Sequence, residues 1–453
     1  MWILNWIEKI NEFIQPVIWG WPVLCAILLA GANLSFRLNF FQITHCKLWL
    51  QSVGKQLFDK GKNDKDGITP FQALTTALAG SIGTGNIVGV ATAITIGGPG
   101  AIFWMWISAI FGMMTIFAEN ILGLKYRRKT SSGEWRGGAM YYIQYGLHSK
   151  TLASIFAFAC VLASLGMGNM AQANSIAGAM ADSFAIDPKI TGGILAGILV
   201  VVSIGGIQRI AKVTEKLVPV MAVGYIAVSL VVLSCYSSTI LPTLWRIVEE
   251  ALGLKAALGG FGGTVMMHAM RCGLSRGIFT NEAGLGSSVM AHINSSCKEP
   301  VEQGMWGIFQ VFIDTIVMCT ITALVILCSG ACNTGKDGAA LSAAAFQSVL
   351  GQFGSVFISI SILLFAFATM LSWSYYGETG MRYLSGKRWI PFFRLIFCLT
   401  AFFSCNIDLH LVWDICDTFN GLLAIPNLAA IFLLSGEVVQ ETQNYLLKHK
   451  GKS

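Results

Sequence analysis

An interruption in an apolar run is the feature that most constrains this fold. Residues 79–100, AGSIGTGNIVGVATAITIGGPG, contain seven glycines, a proline and the polar residues Ser81, Thr84 and Asn86. Glycine costs up to about 1 kcal/mol relative to alanine inside a helix, so the closely spaced glycines predict unwinding. Unwound backbone is tolerated at membrane depth only where it is buried in protein or lines a polar cavity. The interruption therefore predicts a site of the kind that broken helices form in secondary transporters.

Apolar segments long enough to span a membrane recur along the chain. The sequence is 55% hydrophobic and 12% charged, with a mean hydropathy of +0.65, whereas soluble domains are about 25% charged. A membrane helix needs about 20 apolar residues, which predicts an all-α polytopic membrane protein of about 11 spans without a large soluble domain. The predicted spans are 17–36, 69–97, 100–124, 151–180, 188–206, 214–236, 262–290, 303–329, 354–381, 390–405 and 408–435.

Two further segments are predicted to be helices that do not cross the membrane. Residues 1–16 lack the cleavage site of a signal peptide, and their amphipathic pattern with Trp2 and Trp6 predicts an interfacial helix. Residues 334–351 are too short and too polar to span, and we interpret them as a surface helix.

Basic residues are distributed unevenly between the predicted connections. Most of the 30 Lys and Arg residues lie in 37–65, 125–150, 209–216, 382–394 and 448–452. Because cytoplasmic loops carry the excess of positive charge, these connections are predicted to be cytoplasmic, with the N-terminus outside and the C-terminus inside. The net charge of +7 then belongs to the cytoplasmic ends of the helices, and no nucleic-acid partner is expected.

The spans after the first divide into two sets of five that start on opposite sides of the membrane. This order is typical of the inverted repeats of secondary transporters. The sequence TNEAGLGSS at 280–288 interrupts the second set as GTGN at 83–86 interrupts the first. The predicted division is 1–68 (interfacial helix, extra span and cytoplasmic linker), 69–236 (first repeat), 237–261 (extracellular connection), 262–435 (second repeat) and 436–453 (cytoplasmic tail).

The first interruption is predicted to expose the start of a half-helix. Free backbone N–H groups and the positive end of the helix dipole suit a substrate carboxylate. Thr84 and Asn86 can bond the same group or cap the helix. Alternatively the glycines let helices pack closely, because Gly85 and Gly89 have the small-x-x-x-small spacing. A phosphate-binding loop is disfavoured because no Gly-Lys-Ser/Thr comes after them.

The second interruption offers the complementary chemistry. Carbonyl groups at the end of an unwound half-helix attract an ammonium group or a sodium ion. Glu282 is an acid inside a predicted span and is therefore functional by default, with Arg276, Arg271 or a bound cation as candidates for charge compensation. The alternative is a structural Arg276–Glu282 ion pair that fixes the interruption.

Polar residues on the span 151–180 share one helical face. Gly168, Gln172 and Ser175 have the spacing i, i+4 and i+7. Small residues and one amide on a face can line a pocket in which Gln172 donates to a carboxylate. The alternative is an amide hydrogen bond to a neighbouring helix, which membrane bundles form without a ligand.

Hydroxyl groups on the span 354–381 also recur at helical spacing. Thr369, Ser372 and Tyr376 provide the oxygen atoms that a small cation needs. Alternatively the hydroxyls bond the carbonyls of their own preceding turn. Trp373 can wall a pocket or belong to the aromatic belt at the membrane surface.

The remaining reactive side chains do not indicate an enzyme. No acid–base or nucleophile arrangement has convergent spacing, and the 12 cysteines contain no C-x-x-C pair. Further acids occur at or near spans, and those at span ends are expected to be solvated. These acids are Glu119, Asp314, Asp408, Asp414 and Asp417.

These residues resemble a known family, the alanine or glycine:cation symporters, which are sodium-coupled carriers of small amino acids. The resemblance covers nearly the whole chain. It implies a LeuT-like fold with a 5+5 inverted repeat, discontinuous first and sixth core helices, one extra N-terminal span and rocking-bundle alternating access. The matching motifs are TALAGSIGTGNIVGVATAITIGGPGAIFWMW (76–106), GGAMYYI (137–143), GMGNMAQANSIA (166–177), VTEKLVP (213–219), RGIFTNEAGLGS (276–287) and FATMLSWSYYGE (367–378).

The resemblance also implies which residues form the site. A sodium site would use carbonyls around Ser81 and the hydroxyls of Thr369 and Ser372. No cofactor is implied besides the co-transported sodium ion. The substrate pocket would be formed by Thr84, Gly85, Asn86, Gly168, Gln172, Phe279, Thr280, Asn281 and Trp373.

The predicted function is a symporter that couples sodium entry to uptake of alanine or glycine across the cytoplasmic (inner) membrane. Its partners are then a small amino acid, sodium and the lipid bilayer. Proton coupling through Glu282 is the near alternative. A membrane protein that binds an amino acid without transporting it is a second alternative, although such a receptor usually carries a soluble output domain.

Overall fold

The computed structural model describes residues 19–58, 67–131, 133–203, 206–253, 262–407 and 409–450. These residues are almost entirely helical, apart from one short antiparallel pair of strands, β1 (Arg128–Lys129) and β2 (Trp135–Arg136). The predicted interfacial helix at 1–16 and the acid Asp408 lie outside the described residues.

The first half of the chain contains an extra helix and then a broken one. The helix bounds are α1 (Trp21–Arg37), α2 (Phe41–Thr44), α3 (Cys46–Phe58), α4 (Pro70–Ser81), α5 (Val88–Gly97), α6 (Gly100–Tyr126), α7 (Ala139–Gly146), α8 (Lys150–Leu165), α9 (Ala171–Phe184), α10 (Pro188–Ser203), α11 (Gly206–Cys235) and α12 (Ser237–Ala251). A 3-10 turn at Thr84–Asn86 separates α4 from α5, and a π-helical turn at Gly166–Met170 joins α8 to α9.

The second half repeats this order, beginning again with a broken helix. The bounds are α13 (Gly262–Asn281), α14 (Val289–His292), α15 (Pro300–Val311), α16 (Thr320–Cys328), α17 (Gly338–Leu350), α18 (Gln352–Ser385), α19 (Ile390–Ser404), α20 (Leu409–Leu433) and α21 (Ser435–Lys450). A π-helical segment at Phe312–Cys319 joins α15 to α16. Short 3-10 turns at Ala331–Thr334 and Lys387–Trp389 complete the chain.

The apolar helices have the lengths that a membrane protein needs. In the described ranges, six continuous helices are long and apolar enough to span: Gly100–Tyr126, Lys150–Phe184, Gly206–Cys235, Pro300–Cys328, Gln352–Ser385 and Leu411–Leu433. Shorter apolar helices are Trp21–Arg37, Val88–Gly97, Pro188–Val202 and Gly338–Leu350. Each of the two broken helices consists of two pieces, because its backbone leaves the helical path between them.

Local sequence explains where the first broken helix begins and ends. Thr69 and Gln72 form a reciprocal capping box, and Pro70 comes after the cap at a position where its missing N–H is not needed. The helix ends at Ser81, directly before the glycine-rich turn. The broken helices lie inside the bundle: α4 packs against α11 and α18, while α13 and α15 both pack along α6.

The second break differs from the first in the length of the helix after it. The ten-residue helix α5 comes after the first break, whereas only the four-residue helix α14 comes after the second. The chain then meets the start of the first repeat in a parallel bridge. Ile68 N–H donates to Asn294 O at 3.0 Å, and Ser296 N–H donates to Ile68 O at 2.8 Å. The ends of the two broken helices are thus joined by backbone hydrogen bonds.

Three connections contain helices that contribute to the bundle. The segment 237–261 contains α12, and the tail contains α21, whose Glu437 pairs with Lys125 at 2.9 Å. The predicted surface helix at 334–351 is α17, but Leu341, Ala345 and Phe346 are buried. Its Ser342 Oγ donates to Ile87 O at 3.1 Å. This helix therefore covers the first break rather than lying free on the surface. The helix packs there because the apolar face formed by Leu341, Ala345 and Phe346 is removed from water when α17 contacts α5 and α18.

Candidate substrate and cation site

The polar turn between α4 and α5 is held by its own side chains and by two other helices. Gly83 N–H donates to Asn86 Oδ1 at 3.0 Å, which caps the turn. Asn86 Nδ2 donates to the backbone oxygen and to Oδ1 of Asp314 at 3.0 and 2.9 Å. Thr84 N–H donates to Gln172 Oε1 at 3.3 Å. The first break is thus joined to α9 and to the π-helical segment of the second repeat.

The π-helical turn in the first repeat brings Gly168 against Trp373. A Cβ atom at Gly168 would lie 2.2 Å from Trp373 Cβ, so only glycine fits. Gln172, one turn on, faces the first break, and its Nε2 donates to Met167 O at 3.0 Å. Ser175 bonds its own helix instead, because its Oγ donates to Ala171 O at 2.8 Å.

The two breaks touch each other. A Cβ atom at Gly85 would lie 2.7 Å from Thr280 Cγ2 and 3.4 Å from Phe279 Cδ1. A Cβ atom at Gly89, by contrast, would meet no heavy atom within 4 Å. This favours a site over the close-packed small-residue face, since Gly89 takes no part in close packing.

A chain of hydrogen bonds runs from the first break to the second. Asn281 Nδ2 donates to Thr315 Oγ1 at 3.2 Å, and Thr315 Oγ1 donates to Asp314 Oδ2 at 2.8 Å. Asp314 also accepts from Asn86. Asn281 Oδ1 in turn accepts from Ala283 N–H at 3.0 Å, which stabilises the turn after α13. The carboxylate of Asp314 therefore connects the polar residues of both breaks.

Glu282 does not pair with Arg276, so the predicted structural ion pair is wrong. Glu282 Oε1 accepts from Trp373 Nε1 at 2.8 Å, and its Oε2 accepts from Ser287 Oγ at 2.6 Å. The backbone of Glu282 has φ of 60°, in the left-handed region that non-glycine residues rarely occupy. Such strain costs roughly 1–3 kcal/mol and is characteristic of functional sites.

Arg276 forms its ion pair with Asp417 of α20 and lies against the ring of Phe279. Its Nη2 lies 3.2 Å from Asp417 Oδ2, and both groups are largely buried. The guanidinium also lies 5.6 Å from the ring centre of Phe279 and 5.0 Å from that of Trp413. These two rings stack at 4.9 Å. The ion pair and the aromatic stack thus meet at Phe279.

The predicted sodium-site residues lie on α4 and α18, which pack together. Ser81, Thr369 and Ser372 are all buried. Ser372 Oγ donates to Thr76 O at 2.7 Å, which joins the two helices. Thr369 Oγ1 donates to its own preceding turn at 3.1 Å and would lie 2.5 Å from a Cβ atom at Gly83. Thr369 thus lies beside the first break, whereas Ser372 bonds α4 at Thr76, and the role of these residues as sodium ligands stays a prediction.

Glu119 has a role that the sequence alone did not reveal. Its Oε1 accepts from the N–H groups of Gly284 and Gly286 at 3.1 and 3.2 Å, and from Asn427 Nδ2 at 2.7 Å. Asn427 Nδ2 also donates to Gly284 O at 2.9 Å, and its Oδ1 accepts from Tyr142. A carboxylate on α6 thus fixes the loop after the second break.

The further acids named in the sequence lie inside the predicted spans rather than at their ends, apart from Asp408, which lies outside the described residues. Glu119, Asp314 and Asp417 are buried and hydrogen-bonded, whereas Asp414 is half-buried. The signal was present in the sequence, since each buried acid lies within an apolar run, where an ionisable group needs a partner. The identity of those partners could not be read from spacing.

The polar side chains at the two breaks are buried. Among the described residues, three buried hydroxyl groups at or beside the breaks have no hydrogen-bond partner, Thr84 Oγ1, Ser288 Oγ and Tyr376 Oη. A cavity of about 320 Å³ lies farther out between α9, α17 and α18, where Ser183 and Ser359 share a hydrogen bond of 2.6 Å. The side chains of the predicted pocket that are buried are Thr84, Asn86, Gln172, Phe279, Thr280, Asn281 and Trp373.

The arrangement of helices has a counterpart among solved structures. It is similar to the crystal structure of MhsT in complex with L-phenylalanine, with a TM-score of 0.61 at 13% identity. The similarity covers 83% of this chain and 92% of MhsT. It shows the LeuT-like fold, and the predicted fold class is confirmed. The fold and the long apolar helices define a polytopic membrane protein with two broken helices.

Sequence comparison identifies the family. Residues 4–453 match the Sodium:alanine symporter family. The sodium/alanine symporter AgcS of Methanococcus maripaludis is 42% identical, with 99% of this chain and 100% of AgcS aligned. The probable sodium/glutamine symporter GlnT of Bacillus subtilis is 38% identical, with 98% and 92% aligned. The chain belongs to the sodium:alanine symporter family, and it is an integral, cation-coupled amino-acid transporter rather than an enzyme.

Proposed function

We propose that the protein couples sodium entry to the uptake of alanine or glycine across the cytoplasmic (inner) membrane by alternating access. The observation that carries this proposal is the contact between the two breaks at Gly85 and Thr280. The turn at Thr84–Asn86 lies at the start of one half-helix, and α13 ends at Asn281. Helix-start donors suit a carboxylate and helix-end carbonyls suit an ammonium group, so the pair fits an amino-acid zwitterion.

The walls of the site favour a small side chain. Trp373 is fully buried and lies against Gly168, while Phe279 lies beside Gly85. A methyl group on Gly168 would overlap Trp373, and one on Gly85 would overlap Thr280. Steric exclusion by such walls discriminates against bulky amino acids more strongly than the loss of one methylene contact does. The name of the relative AgcS also supports alanine as a substrate.

Sodium is proposed to bind between α4 and α18, where Ser81, Thr369 and Ser372 lie. Bound sodium would favour the state in which both breaks are assembled and would raise the affinity for the amino acid. By linkage, the amino acid raises the affinity for sodium by the same factor. Proton coupling is the second candidate, because Glu282 is a buried acid without a basic partner among the described residues.

Uptake of labelled alanine into proteoliposomes tests the function. An inward sodium gradient is expected to drive accumulation, and excess glycine is expected to compete whereas leucine does not. Replacement of sodium by potassium should lower the uptake rate at least tenfold, after subtraction of the background measured in protein-free liposomes. An unchanged rate in potassium would contradict sodium coupling, and uptake driven by a pH gradient alone would select the proton.

Asn86→Ala is expected to weaken alanine binding about 10- to 100-fold. The substitution removes the cap on Gly83 and leaves Asp314 Oδ1 without its amide donor. A hydrogen bond to a charged group contributes about 1.5–3 kcal/mol, which corresponds to this range. Isothermal titration with alanine at saturating sodium measures the effect, and a sodium titration of binding separates the two ligands.

Thr95→Ala is the matched control for Asn86→Ala. Thr95 lies on the same half-helix, is exposed, and donates only to Ala91 O of its own helix at 3.0 Å. Its substitution should leave the dissociation constant within twofold of wild type. Equal alanine affinity in both variants would show that Asn86 does not contribute to alanine binding.

A further inference from the structure

The last turn of α4 also borders oxygen atoms of Glu282 and Tyr376, neither of which belongs to the sodium site implied at Ser81, Thr369 and Ser372. We propose that Glu282, Tyr376 and the carbonyl end of α4 around Gly80 form a carboxylate-containing site for a monovalent cation, either sodium or a proton. The inference rests on the proposed cation-coupled function and names a second place where a coupling ion binds.

Among the described residues, the carboxylate of Glu282 has no basic hydrogen-bond or ion-pair partner. It is fully buried, and its two described partners are neutral donors, Trp373 Nε1 and Ser287 Oγ. The other titratable groups around it are Glu119, Cys160, Asp314 and Tyr376, none of which is basic. Moving an uncompensated carboxylate out of water costs several kcal/mol. A bound cation would offset the cost of burying this carboxylate.

The hydroxyl group of Tyr376 points into the same place. It is buried and has no hydrogen-bond partner among the described residues. A Cβ atom placed on Gly80 would lie 3.0 Å from Tyr376 Oη and 3.2 Å from Glu282 Oε1. Both oxygen atoms therefore border the space beside Gly80. An unpaired buried hydroxyl is destabilising by about 1–3 kcal/mol, and a cation bound beside Gly80 would give this hydroxyl a partner.

The backbone of α4 contributes to the same region. Gly80 lies in the last turn of this helix, which ends at Ser81. The last four carbonyl groups of a helix lack partners within it, and the helix dipole places partial negative charge at that end. Carboxylate, hydroxyl and carbonyl oxygens are the ligands that hard cations prefer.

The absence of a side chain at residue 80 is part of this arrangement. A methyl group there would stand between Glu282 Oε1 and Tyr376 Oη and exclude an ion from the space. The strained backbone of Glu282, with φ of 60°, fixes where its side chain departs from the second break. Both broken helices thus contribute to one cation site, which gives the ion a direct influence on how they meet.

The charge carried per alanine tests the proposal. Wild type and Glu282→Gln are reconstituted in proteoliposomes, and alanine uptake is measured with the alanine-dependent current. The amide keeps the size of the side chain but removes its charge, so the charge carried per alanine should fall by one elementary charge. An unchanged charge per alanine in Glu282→Gln overturns the inference. Failure of the wild type to transport alanine at all would instead overturn the proposed function.

Two further measurements distinguish sodium from the proton. If the site takes sodium, labelled sodium uptake per alanine falls by one ion in Glu282→Gln. If the site takes a proton, the sodium ratio is unchanged and alanine-dependent acidification of the lumen disappears. Glu119→Gln is the matched control, because Glu119 is an equally buried acid whose carboxylate binds backbone N–H groups. Its charge per alanine should equal that of wild type.

Milder variants keep the proposal testable if Glu282→Gln is folded but inactive. Tyr376→Phe removes only the unpaired hydroxyl, and Gly80→Ala places a methyl group in the space. Each is expected to raise the half-saturating cation concentration at least threefold while alanine uptake at saturating cation is retained. Wild-type cation dependence in both variants would show that the cluster is structural.

Discussion

Gly168→Ala is expected to lower alanine affinity and uptake roughly 5- to 100-fold. The new methyl group would lie 2.2 Å from Trp373 Cβ, an atom attached directly to the backbone of α18. No rotamer change of the indole relieves this overlap, so α8, α9 or α18 must shift. Overpacking of this kind costs about 1–3 kcal/mol, which corresponds to the expected range of affinity. The measurement is alanine binding by titration, together with the initial rate of uptake.

Gly178→Ala provides the comparison on the same continuous helix. A Cβ atom at Gly178 would meet no heavy atom within 4 Å. Because alanine is a better helix former than glycine by up to about 1 kcal/mol, this variant should bind alanine normally and melt no lower than wild type. If Gly168→Ala also bound alanine with wild-type affinity, Trp373 would not be a wall of the substrate site.

Glu119→Ala should destabilise the protein by at least about 3 kcal/mol, since it leaves three buried donors without an acceptor. Those donors are the N–H groups of Gly284 and Gly286 and the side-chain amide of Asn427. The loop after the second break would lose its anchor to α6, and transport should fall with stability. Thermal unfolding in detergent, monitored with and without alanine, measures the loss.

Glu119→Gln separates the acceptor from the charge. Glutamine keeps an Oε1 atom that can accept from the same N–H groups. The thermal unfolding midpoint of Glu119→Gln should therefore lie close to that of wild type. The alanine variant is expected to melt at least about 5 °C lower. Equal midpoints for both variants would mean that the contacts of Glu119 contribute little to stability.

Much of the fold could be predicted because each of the two helix breaks is determined by consecutive residues. Glycines at positions 83 and 85 and the polar residues beside them mark the first break, and the same signals recur at 280–288. Spacing also placed Gln172 and Trp373 in the site, and both lie at the breaks. Local sequence suffices for these features because an interrupted helix is a property of consecutive residues.

The hydrogen-bond and ion-pair partners of the buried charged side chains could not be predicted from local sequence. Arg276 lies six residues from Glu282, which suggested a pair, but its partner Asp417 is far away in the sequence. The turn after Asn281 carries Glu282 away from Arg276, towards Trp373. Similarly, the three donors of Glu119 come from α20 and from the loop after the second break, and only the tertiary fold brings them together.

The π-helical turns show a second limit of periodicity. The spacing of Gly168, Gln172 and Ser175 assumes 3.6 residues per turn, whereas the turn at Gly166–Met170 is wider. Gln172 still reaches the first break, but Ser175 bonds its own helix. The segment Phe312–Cys319 likewise carries Asp314 to Asn86. Sequence periodicity gives no indication of either widening.

The bridge between Ile68 and Ser295 makes the contact between the two broken helices observable by hydrogen exchange. The amide hydrogens of Ile68 and Ser296 are both held in this bridge. If the two broken helices separate at this contact during each transport cycle, these hydrogens become exposed to deuterium only in that state. Their exchange rate would then report how often the two broken helices separate. Amides inside α18 would remain protected and serve as a reference.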